Sequence, residues 1–281
     1  MSMIFQKRST RTRVSTETGI ARLGGHALFL GSEDIQLGAN ESLQDTARVL
    51  GRFNDVILAR VYGHEVIEGL TEHSPVPVIN ALSDKYHPLQ ILADLQTLQE
   101  TFCPPPADGS APPAADGLSG VKVAWVGDGN NIAHSILAGM PRLGVQVAVA
   151  TPKGYECDSD VAARAIAVAE AAGAPVPLFT TDPVEAVRGA DVIVTDTWVS
   201  MGQEEEKARR LKQFSGYQVT EQLGAGAKPG WKFLHCLPRK PEEVSDEVFY
   251  GERSLVWDEA ENRMWTVMAV ALAQLEGGMR G

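Results

Sequence analysis

Short apolar runs alternate with helical stretches along nearly all of this 281-residue chain, and that rhythm restricts the fold more than any other feature. A strand-like start, Met1-Ser2-Met3-Ile4-Phe5, leads into a helical pattern over 9–23, with Ser9 or Thr10 as N-cap and Gly24-Gly25 as stop. Strands follow at 26–30, 55–61 and 76–80, with a helix opening at Asn40-Glu41 and running to about Phe53, and others at 64–73 and 87–102. The run from Asp55 to Val61 is near-continuously apolar, as suits a strand buried on both faces. Residues 103–120 break the rhythm with five prolines in a Gly/Ala/Asp background, a low-complexity surface excursion with no catalytic role expected. The pattern then restarts, with strands at 121–126, 145–150, 176–180, 191–196 and 232–236. Helices are expected at 131–143, 159–172, 183–188 and 204–213, and a last one from about Asp258 to Gln274. Strands alternating with helices imply βαβ units and parallel sheets with right-handed crossovers. Two such series predict two α/β domains, each a doubly wound parallel sheet. Chemistry belongs in the loops just after strands and in the cleft between the domains.

Composition narrows the classes further. Hydrophobic residues make up 44% and charged residues 22%, which excludes a wholly disordered chain. The most apolar stretch, Val267 to Leu275, falls short of the ~18 residues of a membrane span. The net charge of −11 argues against a fold-wide attraction to nucleic acid or anionic membrane. An anionic substrate would therefore need positive charge concentrated locally. Cys103, Cys157 and Cys236 are widely spaced with no CxxC, so neither a disulfide framework nor a zinc site is suggested. No secretory or transit segment is visible.

Seven loops carry candidate chemistry. Lys7-Arg8-Ser9-Thr10-Arg11-Thr12-Arg13 gathers four cations and three hydroxyls at a helix start. Free backbone N–H groups and the helix dipole make that an anion site, and arginine adds bidentate phosphate geometry. The bland alternative is a solvated basic turn. Arg60 ends a buried apolar strand and needs a partner, either a structural ion pair or an anion. His87 and Gln90, three apart in His87-Pro88-Leu89-Gln90, share one face of a first helical turn, where they either donate to a carbonyl oxygen or cap the helix.

Gly127-Asp128-Gly129-Asn130-Asn131 partly matches GxGxxG, but Ile132 stands at the third glycine and no ribose-binding acid follows Ala150-Thr151-Pro152. A nicotinamide-dependent oxidoreductase is thus the weaker reading, and a small-ligand loop using Asn131 fits better. Asp196-Thr197-Trp198-Val199-Ser200-Met201-Gly202 puts a carboxylate at a strand end, either for an ammonium group or as a cap for a helix near Gln203. In His235-Cys236-Leu237-Pro238-Arg239 the thiol reads as nucleophile, polar contact or packed core. Arg263, in Glu259-Ala260-Glu261-Asn262-Arg263, sits early in the last helix against the dipole preference, which suits either an anion partner or solvent.

Taken in order, Ser-Thr-Arg-Thr, His-Pro-x-Gln, Asp-x-x-x-Ser-Met-Gly and His-Cys-Leu-Pro-Arg resemble the ornithine carbamoyltransferase branch of the aspartate/ornithine carbamoyltransferase family over nearly the whole chain. The resemblance implies transfer of the carbamoyl group from carbamoyl phosphate to the δ-amine of L-ornithine, giving L-citrulline and phosphate, with no metal or organic cofactor. It implies that Ser9, Thr10, Arg11 and Thr12 hold the phosphate and that Arg60 bridges phosphate and carbonyl. His87 and Gln90 would bind the carbamoyl group and Arg263 would close on it. Asn131, Asp196, Ser200 and Met201 would take ornithine, while Cys236 and the backbone of Leu237 would meet the reacting amine and carbamoyl group. Cys236, Arg60, His87 and Arg263 form the implied catalytic set, Cys236 as a contact and not a covalent nucleophile.

The implied domains are 1–102 for carbamoyl phosphate, with the helix 258–275 packing back on it, a Pro-rich linker 103–120, and 121–257 for ornithine. A homotrimer, a mitochondrial matrix location (otherwise cytoplasmic), and no nucleic-acid or membrane partner also follow from the resemblance. The family carries elements before the strand that here starts at Met1, so N-terminal parts of the first domain are expected to be missing. The rival readings are a truncated non-catalytic paralogue and a carbamoyltransferase for another amine.

Overall fold

The computed structural model describes residues 1–33, 35, 40–104, 115–199 and 204–277. They divide into two units, residues 1–93 with the chain from Ala260 onward, and Asp94–Glu259. The chain crosses from one unit to the other inside two helices. Most of the Pro-rich stretch, 105–114, lies outside the described residues.

In the first unit β1 (Ser2–Phe5), β2 (Leu28–Gly31), β3 (Ile57–Arg60) and β4 (Val78–Leu82) pair in the order β2-β1-β3-β4, all parallel. Between them run α1 (Thr10–Arg22), α2 (Leu43–Phe53) and α3 (His64–His73), and α4 (Pro88–Phe102) leaves β4. The side chains alternate across the sheet, as the period of a strand requires. Met3, Phe5, Leu58 and Ile79 face one way and pack with Leu89 and Val267. Ile4, Ile57 and Ala59 face the other and pack with Ala47, Ile67 and Leu70 of α2 and α3. Leu58 is fully buried, so truncating it to alanine should cost about 2–5 kcal/mol. The turn Ser83-Asp84-Lys85-Tyr86 is tied by Tyr86 N–H to Ser83 Oγ at 3.2 Å.

In the second unit β5 (Lys122–Val126), β6 (Gln146–Ala150), β7 (Leu178–Thr180), β8 (Val192–Thr195) and β9 (Lys232–His235) pair in the order β7-β6-β5-β8-β9, again all parallel. Its helices are α5 (Asn131–Gly139), α6 (Ser159–Ala172), α7 (Pro183–Val187), α8 (Lys207–Gln213), α9 (Glu221–Gly224) and α10 (Asp246–Phe249), and α11 (Val256–Leu275) returns to the first unit. A Cβ on Gly19 of α1 would stand 2.8 Å from Met268 Cγ, so the missing side chain is what lets α11 pack there.

Both sheets are doubly wound and parallel, as the alternating pattern predicts. Among the differences at element ends, three are set by caps and 3-10 turns. The second helix starts at Leu43, not Glu41, because Ser42 caps it, its Oγ accepting from Asp45 N–H at 3.1 Å. The helix from Asn131 stops at Gly139 and finishes as a 3-10 turn, Met140–Leu143, where Pro141 has no N–H to give. Ahead of α8, Glu204–Glu206 form a 3-10 turn. The short α9 and α10 carry too little periodicity to be read from sequence.

Candidate active site

In each sheet the chain reverses direction of winding between two central strands, β1 and β3 in one and β5 and β8 in the other. Loops after the strands flanking such a switch are where α/β sheets hold ligands. Ser9 to Thr12 and Arg60 stand at the ends of β1 and β3, and Asn131 and Asp196 follow β5 and β8, while His87 and Cys236 follow the outer strands β4 and β9.

In the first unit, Ser9 caps α1: its Oγ accepts from Thr12 N–H at 3.2 Å and donates to Thr12 Oγ1 at 3.1 Å. Thr10 is the exposed first residue of the helix and Arg11 is half-buried. Arg263, buried at 3% exposure, donates to Thr12 Oγ1 at 3.2 Å and to Gln90 Oε1 at 2.7 Å. One guanidinium from α11 therefore joins the start of α1 to the first turn of α4. Arg60 stands buried at the end of β3. His87 is buried too, and its pKa is held well below the ordinary histidine value by loss of water first, then by Arg263, Arg60 and Arg11. It is a neutral imidazole. Lys7 is shifted down by partial burial and by Arg60, against the pull of Asp84, and its Nζ lies 4.8 Å from the Tyr62 ring centre. These cations depress their neighbours because positive charge is crowded there, the condition in which an anion binds best. Arg13 does not join them. It pairs with Glu17 at 3.0 Å and stacks on Phe29.

In the second unit, Asp196, 6% exposed, accepts from Asn130 Nδ2 at 3.2 Å and from Cys236 Sγ at 2.9 Å. Asn130 also caps α5, its Oδ1 accepting from Ile132 and Ala133 N–H. Asn131 is the half-buried first residue of that helix, next to the Asn130 that meets Asp196. Asp196 is not the cap of the following helix, a place taken by Glu206. Burial pushes the Cys236 thiol well above its ordinary pKa, and the charge and hydrogen bond of Asp196 push it further, followed by Glu259 and Asp94. Cys236 is thus a protonated donor, not a thiolate nucleophile. Ser200 and Met201 lie outside the described residues.

Supporting residues that the sequence did not reveal surround this half. Arg210 donates to Asp128 Oδ2 at 2.8 Å and to the Trp198 carbonyl at 3.0 Å, and Lys240 Nζ donates to the Val199 carbonyl at 3.1 Å. Both hold the chain leading to Ser200. Burial raises the Asp128 pKa, with Arg210 opposing. A Cβ on Gly129 would fall 2.4 Å from Cys157 N, so this glycine makes room for the protein's own backbone. That accounts for the partial GxGxxG without a dinucleotide. Leu237 has a left-handed φ of 61°, and its N–H donates to His235 Nδ1 at 2.9 Å.

A family model described as the carbamoyl-P binding domain of aspartate/ornithine carbamoyltransferase matches residues 1–100, and one for the Asp/Orn binding domain matches 119–273. The mitochondrial ornithine transcarbamylase of Gallus gallus is 56% identical over 275 residues, covering 98% of this chain and 74% of that one. Among solved structures, the ornithine carbamoyltransferase of Pyrococcus furiosus superposes with a TM-score of 0.89 at 49% identity, covering 99% of this chain and 85% of that one. The mitochondrial ornithine carbamoyltransferase of Coccidioides immitis gives 0.86 at 47%, covering 100% and 85%.

Proposed function

The chain belongs to the aspartate/ornithine carbamoyltransferase family, and from that premise we propose how its residues divide the work of one reaction. The reaction moves the carbamoyl group of carbamoyl phosphate to the δ-amine of L-ornithine, giving L-citrulline and phosphate. The observation that carries the division is the bridge from Arg263 to both Thr12 and Gln90, beside Arg60 and a neutral His87.

Ser9, Thr10, Arg11 and Thr12 hold the phosphate, using the helix start and the Arg11 guanidinium. Gln90 accepts from Arg263 through its amide oxygen, and its amide NH2 is the group assigned to the carbamoyl oxygen. Arg60, neutral His87 and Arg263 donate to that oxygen as the neutral δ-amine attacks the carbon and negative charge grows on it. Phosphate then departs into the same cationic pocket. Asp196 takes ornithine's α-amino group, with Asn131, Ser200 and Met201 contributing to the amino-acid end. Cys236 donates its S–H to Asp196 and stands as a polar contact for the reacting groups. The amide N–H of Leu237 donates to His235, and its carbonyl is the backbone group assigned to the amine. Each substrate is held by its own set of residues, and fixing both gives the proximity gain of an effectively intramolecular reaction.

The domain division proposed with these roles is 1–102 with 258–275, and 121–257, either side of the linker 103–120. A homotrimer and a mitochondrial matrix location complete the proposal; relatives named as mitochondrial motivate the location. The test is direct. The purified chain, given carbamoyl phosphate and ornithine, should release citrulline and phosphate in equal amounts. Putrescine and acetylornithine, offered in place of ornithine, should react far more slowly. Binding of carbamoyl phosphate without turnover of any amine would instead select a non-catalytic paralogue.

A further inference from the structure

We infer that His235 and Glu243 are positioning residues that pin the Cys236–Leu237 peptide for the transfer step. The inference rests on the proposed role of Cys236 and Leu237 at the reacting groups. Leu237 is a non-glycine residue in the left-handed region, at φ 61°, a conformation that its side chain disfavours and that surrounding contacts must hold. One contact that holds it is its own N–H, donated to His235 Nδ1 at 2.9 Å. Since Nδ1 accepts, the ring proton sits on Nε2, and that N–H donates to Glu243 Oε2 at 3.1 Å. The same oxygen accepts Lys240 N–H at 2.8 Å, which ties the chain beyond the turn back to the ring. The strand end is fixed as well, His235 N–H donating to Glu259 Oε2 at 2.8 Å.

His235 and Glu243 are both fully buried, among Phe233 and Phe249. Burying a carboxylate and an imidazole there is a poor way to gain stability, because an apolar pair of similar volume would avoid the loss of hydration. What the pair supplies is direction. Glu243 fixes the tautomer and the tilt of the ring, the ring fixes the Leu237 N–H, and the peptide plane between Cys236 and Leu237 follows. That plane sets how the Cys236 side chain leaves the backbone toward Asp196, and where the next carbonyl can face.

Two substitutions of His235 in the full chain separate this role from simple packing. In His235→Asn the amide oxygen replaces Nδ1 as acceptor for Leu237 N–H but cannot reach Glu243. In His235→Gln the amide nitrogen replaces Nε2 toward Glu243 and leaves Leu237 N–H without its acceptor. His235→Asn should keep kcat for citrulline within about 5-fold, and His235→Gln should lose about 100-fold, the scale of a small misplacement at a reacting centre. KM for carbamoyl phosphate should stay within about 2-fold in both, since the phosphate is held elsewhere. Melting temperature should rank the other way, with Gln at or above Asn. Equal losses of kcat, or kcat that follows melting temperature, would overturn the inference.

If both variants fail to fold, Glu243→Gln and Glu243→Leu decide. The first keeps an acceptor and should stay within about 3-fold in kcat, while the second frees the ring and should lose at least about 10-fold. Full activity in Glu243→Leu sinks the inference. Asp196→Asn serves as the control. If it leaves ornithine KM and kcat unchanged, the assignment of the whole loop cluster falls, and this inference with it. If it impairs them while the His235 pair does not split, only the relay falls.

Discussion

The two half-sites hold one titratable residue each in the neutral form, and they do it for opposite reasons. His87 stays an imidazole because it is dry and surrounded by Arg263, Arg60 and Arg11. Cys236 stays a thiol because it is dry and faces Asp196, Glu259 and Asp94. One loop cluster is a concentration of positive charge in a chain whose net charge is −11, and the other is centred on a carboxylate. The difference teaches that the local field, not the overall charge, selects the substrate. A phosphate dianion suits the first and an ammonium group the second. In both cases the neutral residue can donate a hydrogen bond without carrying charge.

The strongest way to break this contrast is to remove charge from each side in turn. On the proposed assignment Arg11→Ala takes a guanidinium from the phosphate, and loss of a bidentate charge-assisted pair should raise KM for carbamoyl phosphate at least about 100-fold. The intrinsic ornithine affinity, measured with a norvaline-type analogue at saturating carbamoyl phosphate, should change little. Carbamoyl phosphate binding that survives Arg11→Ala would remove the anion role from the first unit. Asp196→Asn is the mirror experiment. It replaces the acceptor of Cys236 and Asn130 with a neutral amide and should raise ornithine KM about 30-fold, while KM for carbamoyl phosphate holds steady. If both constants move together in either variant, the two clusters do not have separate ligands.

How much of this was legible in the sequence follows the range of each interaction. Apolar runs such as Ile57-Leu58-Ala59 and Val192-Ile193-Val194 announce buried strands locally, so both parallel sheets could be read. Ser9 before Thr10-Arg11-Thr12 is a local cap signal, and its Oγ does accept from Thr12 N–H. What could not be read depends on contacts far along the chain. Arg263 reaches back 251 positions to Thr12, and Arg210 reaches 82 to Asp128. That Asn130 both caps α5 and meets Asp196 turns on one residue of helix phase, which backbone geometry sets and composition does not. Arg13 looks identical to Arg11 in a motif, yet Glu17 one helical turn later claims it. Gly129 resembles a nucleotide-loop glycine because the requirement is the same, close backbone approach, while the approaching backbone is that of Glu156 and Cys157.

The contrast sharpens further with pH. A buried histidine whose folded pKa lies well below about 6.5 binds its proton less readily than the unfolded chain does. Below that value the unfolded state takes up a proton that the fold resists. The stability contributed by neutral His87 is therefore intact above about 6.5 and is lost as pH falls toward the folded pKa, at up to about 1.4 kcal/mol per pH unit, tenfold in the unfolding constant. Denaturant melts between pH 7 and 5 should show that slope in the unsubstituted chain. His87→Gln should flatten it by one proton. An unchanged slope would mean that His87 is already charged in the fold and that the cationic crowding is weaker than drawn.

The smallest effect expected is also the one that decides the chemistry of the second half-site. Cys236 is the sole strong nucleophile type in the described part of that cluster, and a motif reader would put the covalent step there. Its raised pKa says otherwise, because a thiol that stays protonated offers a donor and little nucleophilicity. Cys236→Ser keeps the donor to Asp196 and shortens the contact slightly, so kcat should fall by no more than about 10-fold, the scale of one imperfect hydrogen bond. Cys236→Ala, which leaves Asp196 one donor short, should fall further and should raise ornithine KM as well. At pH 8, iodoacetamide should alkylate Cys236 slowly compared with a free thiol of ordinary pKa, and mass mapping of the modified peptide reads that rate. Rapid alkylation, or loss of all citrulline formation in Cys236→Ser with carbamoyl phosphate still bound, would put a thiolate in the mechanism and end the symmetry between His87 and Cys236.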